Sequence, residues 1–141
     1  MGLDMYLTAT KYFYDEDAPE PTAIAEMMKT KRRVKSVAFE AMYWRKANWI
    51  HAWFVNHVQD GEDDCKPYDL EHAHLEKLIA RCRRALETRD PIILPPMSGF
   101  FFGETDVDEW YWDSIQETAD ELTKVLEDFP ASFYFTYQSS W

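Results

Sequence analysis

Residues 43–58, YWRKANWIHAWFVNHV, constrain the fold more than any other stretch of the chain. Placed at 100° per residue, Trp44, Ala47, Asn48, His51, Phe54, Val55 and Val58 fall on one side, and Lys46, Trp49, Ile50, Trp53 and His57 on the other. Only Arg45, Ala52, Asn56 and Gln59 form a plainly soluble wedge. A helix apolar nearly all round is buried between other elements, and this one is too short and too polar to span a bilayer. Burial makes Asn48 and His51 informative, because an unpartnered buried polar group costs about 1–3 kcal/mol. Either they tie loops to the helix, or with Trp44, Arg45 and Lys46 they line a pocket for a small anion such as a phosphate or carboxylate. In the pocket case His51 is the one suitable general acid–base of the group.

The flanking segments read as an α+β chain. Residues 3–14, rich in β-branched and aromatic side chains, predict a strand. An acidic, proline-containing loop follows, then a short helix over 22–29 with Thr22 as N-cap. Lys29, Lys31, Arg32, Arg33 and Lys35 form a basic cluster, read as a solvated turn with an RNA or phosphate contact as the lesser option. Residues 33–42 alternate well enough for a second strand leading into the aromatic helix. Beyond that helix, four carboxylates in residues 60–64 surround an Asp-Gly turn signal, and their spacing is not that of a calcium-binding loop. Cys65, His72, His74 and Cys82 have a spacing that matches no standard zinc module, so no metal is expected.

A helix from a cap at Asp69 to about Arg89 carries the core stripe Leu75, Leu78, Ile79, Cys82 and Leu86, with Cys82 an inert core thiol. Three prolines keep residues 90–103 irregular. That stretch, ending in Phe100, Phe101 and Phe102, either docks on the core or covers the Arg45–His51 face. A last helix opens at Thr105 and runs to about Asp128, burying Val107, Tyr111, Ile115, Thr118, Leu122 and Val125. Its other face carries Glu109, Asp113, Glu117, Asp120 and Glu127, relieved by Lys124. Residues 131–141 close the chain as a third strand beside the first. The expected architecture is a single α+β domain over 1–141, three main helices on a small, mostly antiparallel sheet.

Charge narrows the function. With 15 Lys and Arg against 26 Asp and Glu, the net charge of −11 argues against general nucleic-acid binding, which needs a basic face. Two cysteines and no recognisable signal segment point to a reducing cytoplasm and no membrane partner.

The motifs Gly2-Leu3-Asp4-Met5-Tyr6, YWRKAN at 43–48 followed by Ile50-His51 and Trp53-Phe54, QDGEDDC at 59–65 and SGFFFG at 98–103 stand together in this chain. On these residues it resembles a family of small uncharacterised proteins encoded by tailed phages, prophages and some bacteria. The resemblance covers most of the chain and carries over no catalytic residue. It implies an accessory role in the host cytoplasm, such as blocking a host or defence component. The expected protein is therefore a non-enzymatic binder of a host protein or nucleoprotein complex. Its contact surface is Glu109, Asp113, Glu117, Asp120 and Phe101, with carboxylates that imitate a phosphate backbone. The alternative is a pocket protein or enzyme holding a nucleotide-like anion at Trp44, Arg45, Lys46, Asn48 and His51. No nucleophile elbow, phosphate-binding glycine loop or zinc signature favours catalysis, and no cofactor is expected.

Overall fold

The computed structural model describes residues 2–15, 18–99 and 102–141. The elements run β1 (Asp4–Tyr12), α1 (Pro19–Met27), β2 (Ser36–Arg45), α2 (Asn48–His57), β3 (Tyr68–Leu70), α3 (His72–Thr88), α4 (Glu109–Asp128) and β4 (Tyr134–Ser140). The four strands form one sheet in the order β2-β1-β4-β3, and every pairing is antiparallel. Met5, Leu7 and Ala9 of β1, Met42 and Trp44 of β2, and Phe135 and Tyr137 of β4 face the buried side. Tyr6, Tyr12, Tyr43 and Tyr134 stand on the open side. This period-two division puts the buried helical stripes against one sheet face, the usual α+β solution.

The expected α+β class is therefore correct, with one strand more than expected and α1 as a minor fourth helix. The expected aromatic helix is shorter at its start. Tyr43, Trp44 and Arg45 pair with Tyr6, Met5 and Asp4 as the last residues of β2. Their exposed-buried-exposed pattern has a strand's period. Lys46 then turns the chain with φ at 55°, in the left-handed region, and its N–H donates to the Leu3 carbonyl at 2.7 Å. A register shift lies opposite Leu7 and Thr8, leaving Ala41 unpaired. Such a bulge exchanges the faces of a strand, so Met42 and Phe39 both face the helices.

Other boundaries moved for identifiable reasons. Helix α1 starts at Pro19 rather than at a Thr22 cap, and proline is favoured in a first turn. Asp69 lies in β3, where it accepts from the Thr136 hydroxyl at 3.3 Å. Helix α3 begins two residues beyond Leu70, with the Glu71 N–H donating to His74 Nδ1 at 3.0 Å. Helix α4 is capped by Asp108, which accepts from the Tyr111 N–H at 3.0 Å. Val107 therefore lies outside the helix and is exposed, whereas Tyr111, Ile115, Thr118, Leu122 and Val125 are buried as expected. Leu75, Leu78, Ile79 and Cys82 are buried too, while Leu86 packs at the margin and Ala85 takes the deeper place. Burial pushes the Cys82 thiol up to about 12, as an inert core thiol requires.

Helix α2 is buried from Asn48 to Val55. Phe54 stacks on Tyr137 of the sheet with centroids 3.8 Å apart, and Trp49 meets Tyr111 of α4 edge-on at 4.9 Å. Two indole N–H groups tie α4 into this core. Trp49 donates to the Ser114 hydroxyl and Trp44 to the Thr118 hydroxyl, both at 2.9 Å. Replacing Thr118 with Val keeps the volume but leaves the Trp44 donor buried and unpartnered. The expected cost is about 1–3 kcal/mol, readable as a lowered urea midpoint.

Candidate functional site

Asn48 and His51 are fully buried, and all their side-chain polar atoms have partners. The Asn48 amide donates to the carbonyls of Phe102 at 3.1 Å and Glu104 at 2.9 Å, and its oxygen accepts from the Met97 N–H at 2.8 Å. One side chain thus ties Met97, Phe102 and Glu104 to α2, and Leu94 and Phe102 are buried. The Leu94 carbonyl accepts from the Tyr111 hydroxyl at 2.6 Å.

His51 lies between Asp63 and Tyr137, at 3.0 Å from Nε2 and 2.6 Å from Nδ1. An ionised carboxylate only accepts, so Nε2 carries the proton and Nδ1 accepts from the tyrosine hydroxyl. Asp63 also accepts from the Trp141 indole at 3.0 Å. Burial lowers the His51 pKa, and the opposing pull of Asp63 is smaller, so the imidazole is neutral. Tyr137 and His51 are enclosed, so of the three groups only the Asp63 carboxylate, 21% exposed, reaches the surface. Their geometry is that of a strut between the 60–64 loop, α2 and β4.

The remaining members of the expected pocket do not converge with these two. Trp44 is buried against Thr118. Arg45 is exposed at the end of β2. Lys46 lays its stem beside Gly103, where an added Cβ would meet the lysine Cβ at 3.1 Å. In the acidic loop, Asp64 accepts from the Tyr68 hydroxyl at 2.8 Å and pairs with Lys66. Among the described residues no group of three or more His, Cys, Asp and Glu could hold a metal. None of the helices described is long and apolar enough to cross a membrane.

Glu109, Asp113, Glu117 and Asp120 all stand exposed on α4. At 100° per residue they share a sector of about 80°, along about 16 Å of axis. Glu109, Asp113 and Glu117 have no ion pair among the described residues. Trp110 is half-exposed beside them and packs edge-on against Trp49 at 5.0 Å. Phe101, assigned to this surface by sequence, lies outside the described residues.

Sequence reasoning overlooked a second charged surface. Between α2 and α3 is an open cleft of ≈ 290 Å³, lined by Trp53, His57, Lys77, Ala80, Arg81 and Arg84. Partial desolvation, then the charges of Arg81 and Lys77 with His74 behind them, holds His57 below its ordinary pKa. Lys77, Arg81 and Arg84 recur at helical spacing, a signal that was present in the sequence but overshadowed by the apolar stripe beside it. No protein-family model, curated protein or solved structure matches the chain.

The strut sets a pH dependence. His51 is held below its ordinary value of 6.5, so on acidification the unfolded chain takes up that proton first. Its contribution to stability is complete above pH 6.5 and is lost as pH falls toward the lower folded-state pKa. Urea midpoints should therefore drop between pH 7.5 and pH 5.5, and the drop should persist in His57→Gln, which removes the other lowered imidazole. Tyr137→Phe keeps the ring stack, and loss of its hydroxyl should cost about 1–2 kcal/mol at neutral pH.

Proposed function

We propose that this chain is a non-enzymatic binding protein whose acidic α4 face docks on a basic surface of a macromolecular partner. In the phage-type setting implied by the sequence resemblance, that partner is a host protein or nucleoprotein complex in the host cytoplasm, and the outcome of binding is interference. The observation that supports this reading is the row of exposed α4 carboxylates, three of them without ion pairs among the described residues. A rigid helix presents these charges at set positions without an ordering cost, and Trp110 supplies an aromatic anchor at one end. Complementary charge of this kind accelerates encounter and selects partners.

The pocket alternative at Arg45, Lys46, Asn48 and His51 has weaker support, because Asn48 and His51 are bound within the protein. The engagement of both His51 nitrogens by Asp63 and Tyr137 likewise favours a structural part for the one candidate general acid–base.

Charge reversal tests the α4 face. The triple change Asp113→Lys, Glu117→Lys, Asp120→Lys alters exposed residues and should leave thermal unfolding within about 1–2 °C per site. Affinity capture from the natural host should recover a basic partner whose binding weakens with salt and falls at least about tenfold in the triple variant. Capture that survives the triple change unaltered rejects the acidic face as the contact surface.

A further inference from the structure

We propose that the cleft between α2 and α3 binds a small molecule carrying two or more phosphate groups, held by Lys77, Arg81 and Arg84 with His57 at its rim. This site is separate from the α4 face and does not rest on the function proposed for it.

Three observations carry the assignment. The first is charge without compensation. Lys77, Arg81 and Arg84 share a sector of about 60° on α3, yet none has an ion pair among the described residues. Like charges at this spacing repel one another and destabilise a helix. In a chain with 26 acidic against 15 basic residues, three unpaired cations on one side of one helix are not a product of composition. Nearby arginines outside the cleft are engaged: Arg83 donates to the Thr123 hydroxyl at 3.1 Å, and Arg89 covers the Trp112 ring at 4.9 Å.

The second observation is shape. The cations border a concavity of ≈ 290 Å³ whose apolar lining is Trp53 and Ala80. Trp53 stacks on His57 with centroids 4.8 Å apart, which fixes the imidazole at the edge of the cleft. A concave, partly apolar site with a few convergent charges suits a small ligand better than a flat macromolecular contact. The third is local electrostatics. His57 feels Arg81, Lys77 and His74 from α3, and no carboxylate is among the residues that line the cleft.

These features also select the ligand class. Guanidinium groups match phosphate oxygens two at a time. From Lys77 to Arg84 the helix rises about 10 Å, so a ligand with charge at more than one phosphate can engage all three cations where a lone carboxylate cannot. A long nucleic acid is disfavoured by the net charge of −11.

Calorimetric titration of the full chain at low ionic strength with inorganic pyrophosphate, ATP and orthophosphate tests the site. Pyrophosphate and ATP should bind more tightly than orthophosphate, and each of Lys77→Gln, Arg81→Gln and Arg84→Gln should weaken them about fivefold. Arg83→Gln should leave binding unchanged. Equal affinity for pyrophosphate and ATP places recognition in the phosphates; tighter ATP adds a contact to the nucleoside, and both agree with the proposal. By NMR, saturating pyrophosphate should move the His57 titration to higher pH, because the anion offsets Arg81 and Lys77. The proposal is overturned if neither compound binds at millimolar concentration, if Arg83→Gln weakens binding as much as Arg81→Gln, or if the His57 titration does not move.

Discussion

Everything around α2 follows from the need to satisfy two polar side chains inside an apolar helix. Asn48 and His51 have no exposure, so each of their donors and acceptors must be met from within the chain. Asn48 recruits main-chain groups of Met97, Phe102 and Glu104, and so sets the path of a proline-rich loop that has no regular structure of its own. His51 recruits a carboxylate from the acidic loop and a hydroxyl from the last strand. The indoles of Trp44 and Trp49 do the same toward α4. Apolar contact alone is non-directional and tolerates many packings. These hydrogen bonds pick one of them.

That core leaves the charged groups to the outside, where they separate by helix. Carboxylates gather on the exposed side of α4, while α3 turns Lys77, Arg81 and Arg84 toward a cleft beside α2. The two helices pack on one another through their apolar stripes, so each presents its charged side outward. A molecule of strongly negative net charge therefore also carries a confined positive site. In such a molecule, net charge describes encounter with partners but not the local field at any one cleft.

Much of the architecture was legible in the chain. Strong helical periodicity marked the bodies of α3 and α4 and most of their buried stripes, and β-branched and aromatic content marked β1 and β4. Boundaries were less legible, because they depend on which local partner wins. Asp108 rather than Thr105 caps α4, and the Glu104 carbonyl ahead of it is held by the Asn48 amide. The three residues of β3 are too few to show a period and exist by pairing with β4. At residues 43–45 an aromatic-rich stretch that spans both elements concealed the change from strand to helix. The left-handed turn at Lys46 that separates them is not a residue preference.

By itself the sequence determined the α+β class, the burial of the aromatic segment and the acidic side of the last helix. Each of these is a one-dimensional pattern of hydrophobicity or charge repeated within a single element. Only the tertiary structure decided the fate of Asn48 and His51, whose partners lie as far as 86 positions away in the chain. It likewise decided that the basic stripe of α3 borders an open cleft beside α2. The physical reason is the same in both cases: a hydrogen bond or a concavity between elements is set by how the elements pack, and no local period encodes it.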